Sequence, residues 1–222
     1  MSRVVVKLGG RVAASSAGYA LDRHEAGDEV VVVHGAGPQI SAELERLGRP
    51  VTFVGGRRFT DGPTLDVVRS LLVEVGAEVT ATLGSAATHL VGDEIGLEAR
   101  PLPALGLVGD PVPGAPPALA AALAEGRIPV VTPIAVGPLN VNADEAASAI
   151  AVGLGADRIV FVSDVPGVYV EGVVAEVLHA DHASALLSSG AFEGGIVPKL
   201  VAAVRAARLG VQAEIGLTEV LA

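Results

Sequence analysis

Short runs of β-branched residues, each followed by a turn and an alanine-rich helical pattern, constrain the fold of this chain most strongly. The runs are residues 4–6, 29–33, 128–131, 158–162 and 211–215. The helical patterns cover about 38–47, 62–78, 117–125, 143–154, 182–188 and 198–209. Buried parallel strands have this near-continuous apolar character. Because strands that alternate with helices build parallel sheets, the sequence predicts an α/β protein with helices on both faces of a mainly parallel sheet.

Two regions depart from this regular alternation. Residues 83–114 contain several prolines and short apolar pairs, which favour a β-hairpin or edge-strand structure over the first part of the chain. A break rich in proline and glycine lies near residues 132–142. We therefore expect two lobes, at residues 1–135 and 136–222, that share one continuous sheet.

Composition and charge exclude several classes of protein. The chain has 222 residues, 50% of them hydrophobic, which is enough to bury a full core. Its net charge of −10 argues against non-specific binding to nucleic acid or to an anionic membrane surface. The sequence contains neither a signal peptide nor an apolar run long enough to span a membrane, so we expect a cytoplasmic protein. The absence of cysteine excludes disulfides, thiolate metal sites and a cysteine nucleophile.

Lysine is nearly absent from this chain, and the two lysines that remain are Lys7 and Lys199. Lysine and arginine together number 15, so 13 of these residues are arginine. Lys199 begins the last long helical pattern, where a cation opposes the helix dipole unless an anion lies nearby. A bias in genome composition explains the general loss of lysine. The two positions that keep it are candidates for a site that arginine does not serve.

Glycine-rich turns follow the first two strands, at residues 7–10 and 34–38. Ligands of open α/β sheets bind at the carboxyl ends of the strands, and glycine lets backbone N–H groups approach an anion closely. Two such turns side by side are able to hold a phosphoryl group. The chain has no Gly-Lys dipeptide and therefore no Walker A loop. A further polar cluster at residues 139–147 precedes a helical pattern, and for Asp144 alone a helix cap is the simplest interpretation.

Taken in order, these motifs resemble those of the amino-acid kinase family, most closely its acetylglutamate kinases. The matching segments are residues 5–10, 33–38, 56–61, 140–144, 163–168 and 194–199. The resemblance implies a three-layer α/β/α sandwich, with an amino-acid-binding lobe at residues 1–135 and a nucleotide-binding lobe at residues 136–222. It also implies transfer of the γ-phosphoryl of MgATP to the side-chain carboxylate of N-acetyl-L-glutamate, which gives an acyl phosphate in arginine biosynthesis.

The resemblance assigns roles to the residues that match the family's motifs. The implied catalytic residues are Lys7, Lys199, Asp144 and Gly10, and the implied substrate-binding residues are Ala36, Gly37, Arg58, Asn140 and Asn142. The implied ATP-binding residues are Ser163, Asp164, Val165, Pro166, Gly167, Val168, Tyr169, Ala191, Phe192 and Glu193. Both lysines would neutralise the phosphoryl group during transfer, with Asp144 orienting their ammonium groups. Arg58 would grip the α-carboxylate of the acceptor, and Mg²⁺ would arrive on the nucleotide rather than in a protein site.

The sequence departs from the family's pattern in three places. Ala36 stands where the family usually has a glycine, and if that residue needs a positive φ, alanine costs roughly 1 kcal/mol. The loops at residues 135–138 and 169–173 are shorter than in relatives. The chain also ends before the segment that normally closes the nucleotide lobe in the family, which bears on its affinity for ATP.

Further expectations concern assembly and acceptor. Because the sequence lacks the family's extra amino-terminal helix, the resemblance implies a homodimer without feedback by arginine. One methylene changes binding by only about 1–3 kcal/mol, so N-acetyl-2-aminoadipate stays an alternative acceptor. Glutamate or aminoadipate on an acidic carrier protein is a weaker alternative, since a chain of charge −10 repels such a partner. A non-catalytic sensor of an amino acid or nucleotide is the remaining alternative.

Overall fold

A central sheet covered by helices on both faces organises the chain, as the sequence predicts. The computed structural model describes residues 1–9, 16–162 and 165–222. The strands are β1 (Arg3–Leu8), β2 (Glu29–His34), β3 (Phe53–Val54), β4 (Arg57–Arg58), β5 (Ala87–Val91), β6 (Ala99–Pro101), β7 (Val108–Pro111), β8 (Ile128–Thr132), β9 (Ile134–Ala135), β10 (Leu139–Val141), β11 (Arg158–Val162), β12 (Tyr169–Val170), β13 (Val173–Val174), β14 (Val177–His179), β15 (Gln212–Ile215) and β16 (Thr218–Leu221). The helices are α1 (Ala17–Glu25), α2 (Gly37–Arg46), α3 (Gly62–Leu83), α4 (Gly92–Ile95), α5 (Pro117–Ala124), α6 (Ala143–Gly153), α7 (Ala180–Ser188) and α8 (Ile196–Arg208).

The order of the strands places a crevice at the middle of the sheet. Within the described residues, the central sheet has the order β14-β16-β15-β11-β1-β2-β8-β5. Its neighbouring strands are parallel except for β15 and β16. The chain passes from β1 to β2 on one side, whereas β11 lies on the other, so the connections diverge at β1. Ligands of open α/β sheets bind outside the carboxyl ends of strands at such a point.

The side chains of β1 point alternately to the two faces of the central sheet. Val4 and Val6 pack into a core cluster shared with α1, α2 and α3, whereas Val5 packs into a second cluster shared with α5, α6 and α8. Side chains two residues apart in a strand lie on the same face. Lys7 therefore points with Val5 toward the face covered by α6, which helps to place its ammonium group beside that helix.

Most predicted elements are found, and the differences have local causes. Residues 83–114 contain β5, an edge strand of the central sheet, and the antiparallel pair β6 and β7. The long helix α3 continues past its predicted end at residue 78 and stops at Gly84, whose φ of +65° leaves the helical region. The helix α1 is not predicted, since it buries little beyond Ala17 and Ala20. The strand predicted at residues 211–215 is found as β15, but it is not the last strand, because β16 follows it as an antiparallel neighbour.

Strands from both sides of the predicted lobe boundary lie in the same central sheet, and the boundary itself stays a prediction. The part of the chain that the structure describes contains no helix that is both long enough and apolar enough to cross a membrane.

Candidate active site

A cavity of about 390 Å³ opens at the carboxyl ends of β1 and β2. Its walls come from the turns after these strands, from the hairpin β3–β4, and from the first residues of α2, α6 and α8. The lining includes the predicted site residues Lys7, Ala36, Gly37, Arg58, Asn140, Asn142, Asp144 and Lys199. The predicted residue Gly10 lies outside the described residues.

Asp144 joins the two lysines of the chain at the centre of this cavity. Its Oδ1 lies 2.7 Å from Lys7 Nζ and 3.8 Å from Lys199 Nζ. The side chains of Lys7 and Asp144 are almost fully buried, and that of Lys199 is 15% exposed. Burial costs charged groups several kcal/mol each unless they are paired. One carboxylate therefore holds two cations at the cavity.

Asn142, and not Asp144, caps α6. The Asn142 Oδ1 accepts hydrogen bonds from the backbone N–H groups of Asp144 and Glu145, at 2.9 and 3.2 Å. Its Nδ2 donates to Gly56 O at 3.2 Å. The helix-cap interpretation of Asp144 is therefore wrong, and its carboxylate serves the lysines instead. The polar atoms of Asn142 are engaged in holding α6 and the hairpin β3–β4 together, while its predicted contact with a substrate stays a prediction.

Three helices begin at the cavity, and they differ in how their first N–H groups are satisfied. Asn142 caps α6, whereas α2 and α8 have no side-chain cap. Uncapped N–H groups at a helix start are the groups that bind anions, helped by the helix dipole. The starts of α2 and α8 therefore add to the positive potential of the lysines.

Ala36 does not need the conformation that would make alanine costly. Its φ is −137°, and its side chain is buried in the core cluster below α2. Alanine is therefore accepted here without strain, and the expected penalty for replacing the family's glycine does not arise. A Cβ added at the neighbouring Gly37 would meet no protein atom within 4 Å, so this side of the turn faces open space.

Arg58 is buried beside the start of α2. Its guanidinium lies over the Phe53 ring, 4.6 Å from the ring centroid. Nη2 donates to Gly37 O at 3.1 Å and to Ser41 Oγ at 2.9 Å, whereas the buried Nη1 has no hydrogen-bond partner among the described residues. Burial lowers the pKa of Arg58. A buried cation with an unused N–H donor is a strong binding site for a carboxylate.

The sequence motifs predict no role for Thr60, yet its hydroxyl fixes the orientation of the Asn140 side chain. The Thr60 hydroxyl donates to Arg58 O at 2.8 Å, so toward Asn140 it acts as an acceptor, 3.0 Å from Asn140 Nδ2. The amide of Asn140 therefore directs its NH2 group to Thr60 and leaves Oδ1 as an acceptor. An amide N–H of a ligand matches that acceptor.

The charge of the cavity opposes that of the whole chain. Among the described residues that line it, Lys7, Lys199, Arg57 and Arg58 are cationic and Asp144 is anionic. Arg57 is paired with Glu145 and Asp110, so the positive charge comes mainly from the two lysines and Arg58. The chain as a whole carries −10. A cationic crevice in an acidic protein concentrates anionic ligands at that point.

No described residue of the two predicted ATP-binding segments lines this cavity. Ser163 and Asp164 fall outside the described residues. Val165, Pro166, Tyr169, Ala191 and Glu193 are exposed.

The other members of these segments are held by the protein itself. Gly167 and Val168 are buried, and Phe192 packs against the core. Val168 N donates to Thr218 Oγ1 at 2.8 Å, and Leu217 N donates to Pro166 O at 2.7 Å. The unpredicted strand β16 thus anchors the first segment, and binding of ATP by either segment stays a prediction.

His34 ends β2 beside the cavity and forms a buried cluster. Its Nε2 lies 3.1 Å from Thr132 Oγ1, and the same hydroxyl lies 2.8 Å from His89 Nε2. Gly76 in α3 makes room for both rings, since a Cβ there would lie 2.8 Å or less from each Nε2. His34 Nδ1 has no partner among the described residues. Because an unpaired N–H costs more than an unpaired lone pair, His34 carries its proton on Nε2 and donates to Thr132.

This cluster predicts a specific dependence of stability on pH. Burial, with smaller effects of His89 and Lys7, lowers the pKa of His34 to about 3. The unfolded chain binds a proton at this residue below about pH 6.5, which the folded chain does not, so stability falls as the pH falls through this range. We expect a loss of about 2 kcal/mol in the free energy of unfolding between pH 6.5 and 5. Denaturant titrations at several pH values measure this loss.

The matched variants are His34→Gln, which should flatten the dependence, and His182→Gln, which should keep it because His182 is exposed. A wild-type free energy of unfolding that stays constant from pH 6.5 to 5 would contradict the assignment.

Entry of a metal ion with the nucleotide, rather than in a protein site, stays a prediction. Among the residues that the structure describes, no group of three or more His, Asp or Glu side chains is placed to hold a metal. Asp144, the one carboxylate among the described residues that line the cavity, is already paired with Lys7. Mg²⁺ coordinated mainly by phosphate oxygens and water needs no protein cage.

The fold and the cavity define the class: an α/β/α protein with a crevice lined by lysine and arginine where its strand connections diverge. The chain belongs to the amino acid kinase family, whose model matches residues 2–216. The family resemblance predicted from the motifs is therefore confirmed, as is the predicted fold class.

Relatives within the family carry one recurring name. The acetylglutamate kinase of Frankia casuarinae is 42% identical, over 94% of this chain and 64% of its own length. That of Saccharopolyspora erythraea is 44% identical, over 84% of this chain and 68% of its own length. This chain thus spans about two thirds of the length of these curated relatives. The solved structure of smu.665 from Streptococcus mutans UA159 has a TM-score of 0.89 at 28% identity, covering 99% of this chain and 98% of that chain.

Proposed function

We propose that this chain transfers the γ-phosphoryl of MgATP to the side-chain carboxylate of N-acetyl-L-glutamate, a step of arginine biosynthesis. The observation that carries the proposal is the pair of lysines on Asp144, set in a cationic cavity between two helix starts that have no side-chain cap. The names of the relatives favour this acceptor over N-acetyl-2-aminoadipate. The product is an acyl phosphate.

Transfer of a phosphoryl group to a carboxylate needs positioning and charge more than it needs a base. The acceptor carboxylate has a pKa of about 4.3 and is ionised at neutral pH, so no proton has to be removed from it. One carboxylate oxygen forms the new bond to the γ-phosphorus as the bond to the oxygen that bridges the β- and γ-phosphates breaks. In the transition state, charge spreads over the equatorial oxygens.

Lys7 and Lys199 neutralise that charge from two elements, a strand end and a helix start. Asp144 keeps both ammonium groups turned toward one point, which lowers the reorganisation needed during transfer. The starts of α2 and α8, which line the same cavity, add the partial positive charge of their helix dipoles. A compact ammonium group with three donors follows such a moving target better than a rigid guanidinium fork does.

The acceptor side of the cavity suits an N-acylated amino acid. Arg58 Nη1 provides a donor for the α-carboxylate, and Asn140 Oδ1 provides an acceptor for the amide N–H. A free α-ammonium group would need a carboxylate, and Asp144, the one carboxylate in the part of the lining that the structure describes, is already paired with lysine. The apolar residues of the wall leave room for an acyl methyl group; they are Ile40, Phe53, Leu72, Val108, Pro133 and Val141.

Arg58→Lys should raise the KM for the acceptor about 10- to 100-fold while changing kcat much less. The lysine keeps the charge but loses the second donor and the stacking on Phe53, and such a loss amounts to about 1–3 kcal/mol. Steady-state kinetics with the acceptor varied at saturating ATP measure the KM for the acceptor and kcat separately. Arg46→Lys, an exposed arginine of α2, is the control. An unchanged KM in Arg58→Lys would remove this residue from the acceptor site.

The proposed reaction is tested by trapping the acyl phosphate with hydroxylamine as a coloured hydroxamate. N-acetyl-L-glutamate, N-acetyl-2-aminoadipate, glutamate and aspartate are compared side by side in the presence of MgATP. We expect the highest kcat/KM with N-acetyl-L-glutamate and little product from the free amino acids. No hydroxamate from any acceptor would contradict the kinase proposal, and a preference for the longer acceptor would move it to N-acetyl-2-aminoadipate.

The homodimer and the cytoplasmic location implied by the resemblance stay predictions. Light scattering on the purified chain tests the first, and hexamers would contradict it.

A further inference from the structure

The hairpin β3–β4 holds two neighbouring arginines that face different partners. Arg58 lies against α2 and the cavity. Arg57 donates from Nε to the Glu145 carboxylate at 2.9 and 3.1 Å, and from Nη2 to Asp110 Oδ1 at 2.8 Å. One strand of two residues thus carries both the proposed acceptor contact and a separate set of ion pairs.

Asp110 is the point at which these ion pairs meet. It lies on β7 and binds Arg57 as well as Arg205, whose Nη1 is 3.3 Å from the same Oδ1. Arg205 Nη2 also donates to Pro111 O at 3.1 Å. A third cation, the exposed Arg100 of β6, lies 3.6 Å from Asp110 Oδ2. Asp110 therefore joins the hairpin to α8.

The two helices reached by this network are the ones that carry the phosphoryl-binding residues. Glu145 follows Asp144 in α6, and Arg205 lies six residues after Lys199 in α8. The turn of the hairpin touches α8 a second time, since a Cβ added at Gly56 would lie 3.3 Å from Pro198 Cβ. A shift of the hairpin relative to α8 must therefore disturb the residues next to Lys199.

The network is buried enough to have an energetic effect. The side chains of Arg57, Asp110, Glu145 and Arg205 are between 11% and 27% exposed. Burial raises the pKa of Glu145, and its hydrogen bonds with Arg57 oppose that rise. Ion pairs at this depth are screened less by solvent and salt than those on the surface, which contribute about 0–1 kcal/mol.

We propose that Arg57, Asp110 and Arg205 form a positioning network that couples occupancy of the acceptor site at Arg58 to the placement of Lys199. The inference rests on the proposed function, since it concerns the two substrates of that reaction. When an acceptor fixes the hairpin, the network holds α8 in the position that receives the nucleotide. Coupling of two binding sites is reciprocal and typically changes affinity about 5- to 150-fold.

The test measures the Kd of N-acetyl-L-glutamate by calorimetry, with and without a non-hydrolysable ATP analogue. In the wild type, the analogue should tighten acceptor binding at least about 5-fold. In Asp110→Asn that factor should fall below about 2-fold, with a lower kcat. Arg205→Gln should give the same loss. The double variant should add nothing to it, because both substitutions break one network.

Asp93→Asn is the matched control. Asp93 is 17% exposed, close to the 22% of Asp110, and pairs with Arg69 outside the cavity lining. If Asp110 had only a structural role, Asp110→Asn would, like Asp93→Asn, lower the melting temperature and leave the coupling factor at its wild-type value. Equal coupling factors in Asp110→Asn and Asp93→Asn would overturn the inference. So would a wild-type enzyme that is active but whose affinity for the acceptor does not change with the ATP analogue. A wild type without turnover would instead contradict the proposed function, and the inference with it.

Discussion

Lys199→Arg should fold like the wild type and lose kcat by about 10²- to 10³-fold. The charge is kept, so the change removes the geometry of one donor in the transition state, and the loss of such a donor has this magnitude. Lys199 Nζ shares Asp144 Oδ1 with Lys7 Nζ, and its side chain is only 15% exposed. A planar guanidinium cannot replace a compact ammonium group there without moving its neighbours. Discontinuous or continuous assays of ADP formation measure kcat.

The control for this variant is Arg208→Lys on the same helix. Arg208 is half exposed and pairs with Asp181 and Ser184 away from the cavity. The Arg208→Lys variant should keep kcat within about 2-fold of the wild-type value, because surface ion pairs contribute little. A near-normal kcat in Lys199→Arg would show that this lysine does not stabilise the phosphoryl group.

Asp144→Asn should lower both kcat and stability. The side chain keeps its size, but Lys7 is left as a buried ammonium group beside Lys199 without a counter-charge. Removing one partner of a buried ion pair costs about 3–5 kcal/mol, so we expect the free energy of unfolding to fall by roughly that amount. We expect kcat to fall by at least about 10²-fold, because the two lysines lose their common orientation. Denaturant unfolding and steady-state kinetics measure the two effects.

A second substitution separates the two effects. Lys7→Met in the Asp144→Asn background removes the buried unpaired charge and should restore part of the stability, since a neutral pair of similar volume carries no desolvation cost. The activity should stay low, because the phosphoryl group has lost a cation. An Asp144→Asn variant as stable and active as the wild type would contradict the shared-carboxylate arrangement.

The fold could be predicted largely from periodicity, because its parallel strands are buried on both faces and read as continuous apolar runs. Val4–Val6 and the runs after it differ from helices by their length and β-branching. The prediction is incomplete where tertiary contacts decide: β16 lies between β14 and β15 through pairing that no local pattern indicates. Gly76 stays inside α3, as predicted, because its missing side chain leaves room for two histidine rings.

The candidate site could be predicted in part from the scarcity of one residue type. Lys7 and Lys199 stood out as the lysines of the chain, and the structure places both on Asp144. Sequence reasoning treated Asp144 as a possible cap because Asn142, two residues earlier, gives the same signal. Only the geometry shows that Asn142 caps α6 and leaves Asp144 to the lysines.

The remaining features depend on distances that sequence does not encode. Thr60 orients Asn140 across 80 residues, and Arg57 meets Asp110 across 53 and Glu145 across 88. Charged residues are common on surfaces, so none of these has a local signature. Their effect comes from being brought together under the hairpin β3–β4.

The most direct test of the central claim follows phosphorus itself. ³¹P NMR of the wild-type chain with MgATP and N-acetyl-L-glutamate shows whether the γ-phosphoryl group arrives intact on the acceptor. The proposed function predicts that the γ-phosphate signal of ATP declines while signals of ADP and of an acyl phosphate grow in equal amounts. Loss of ATP to inorganic phosphate alone, at a rate that the acceptor does not change, would contradict it.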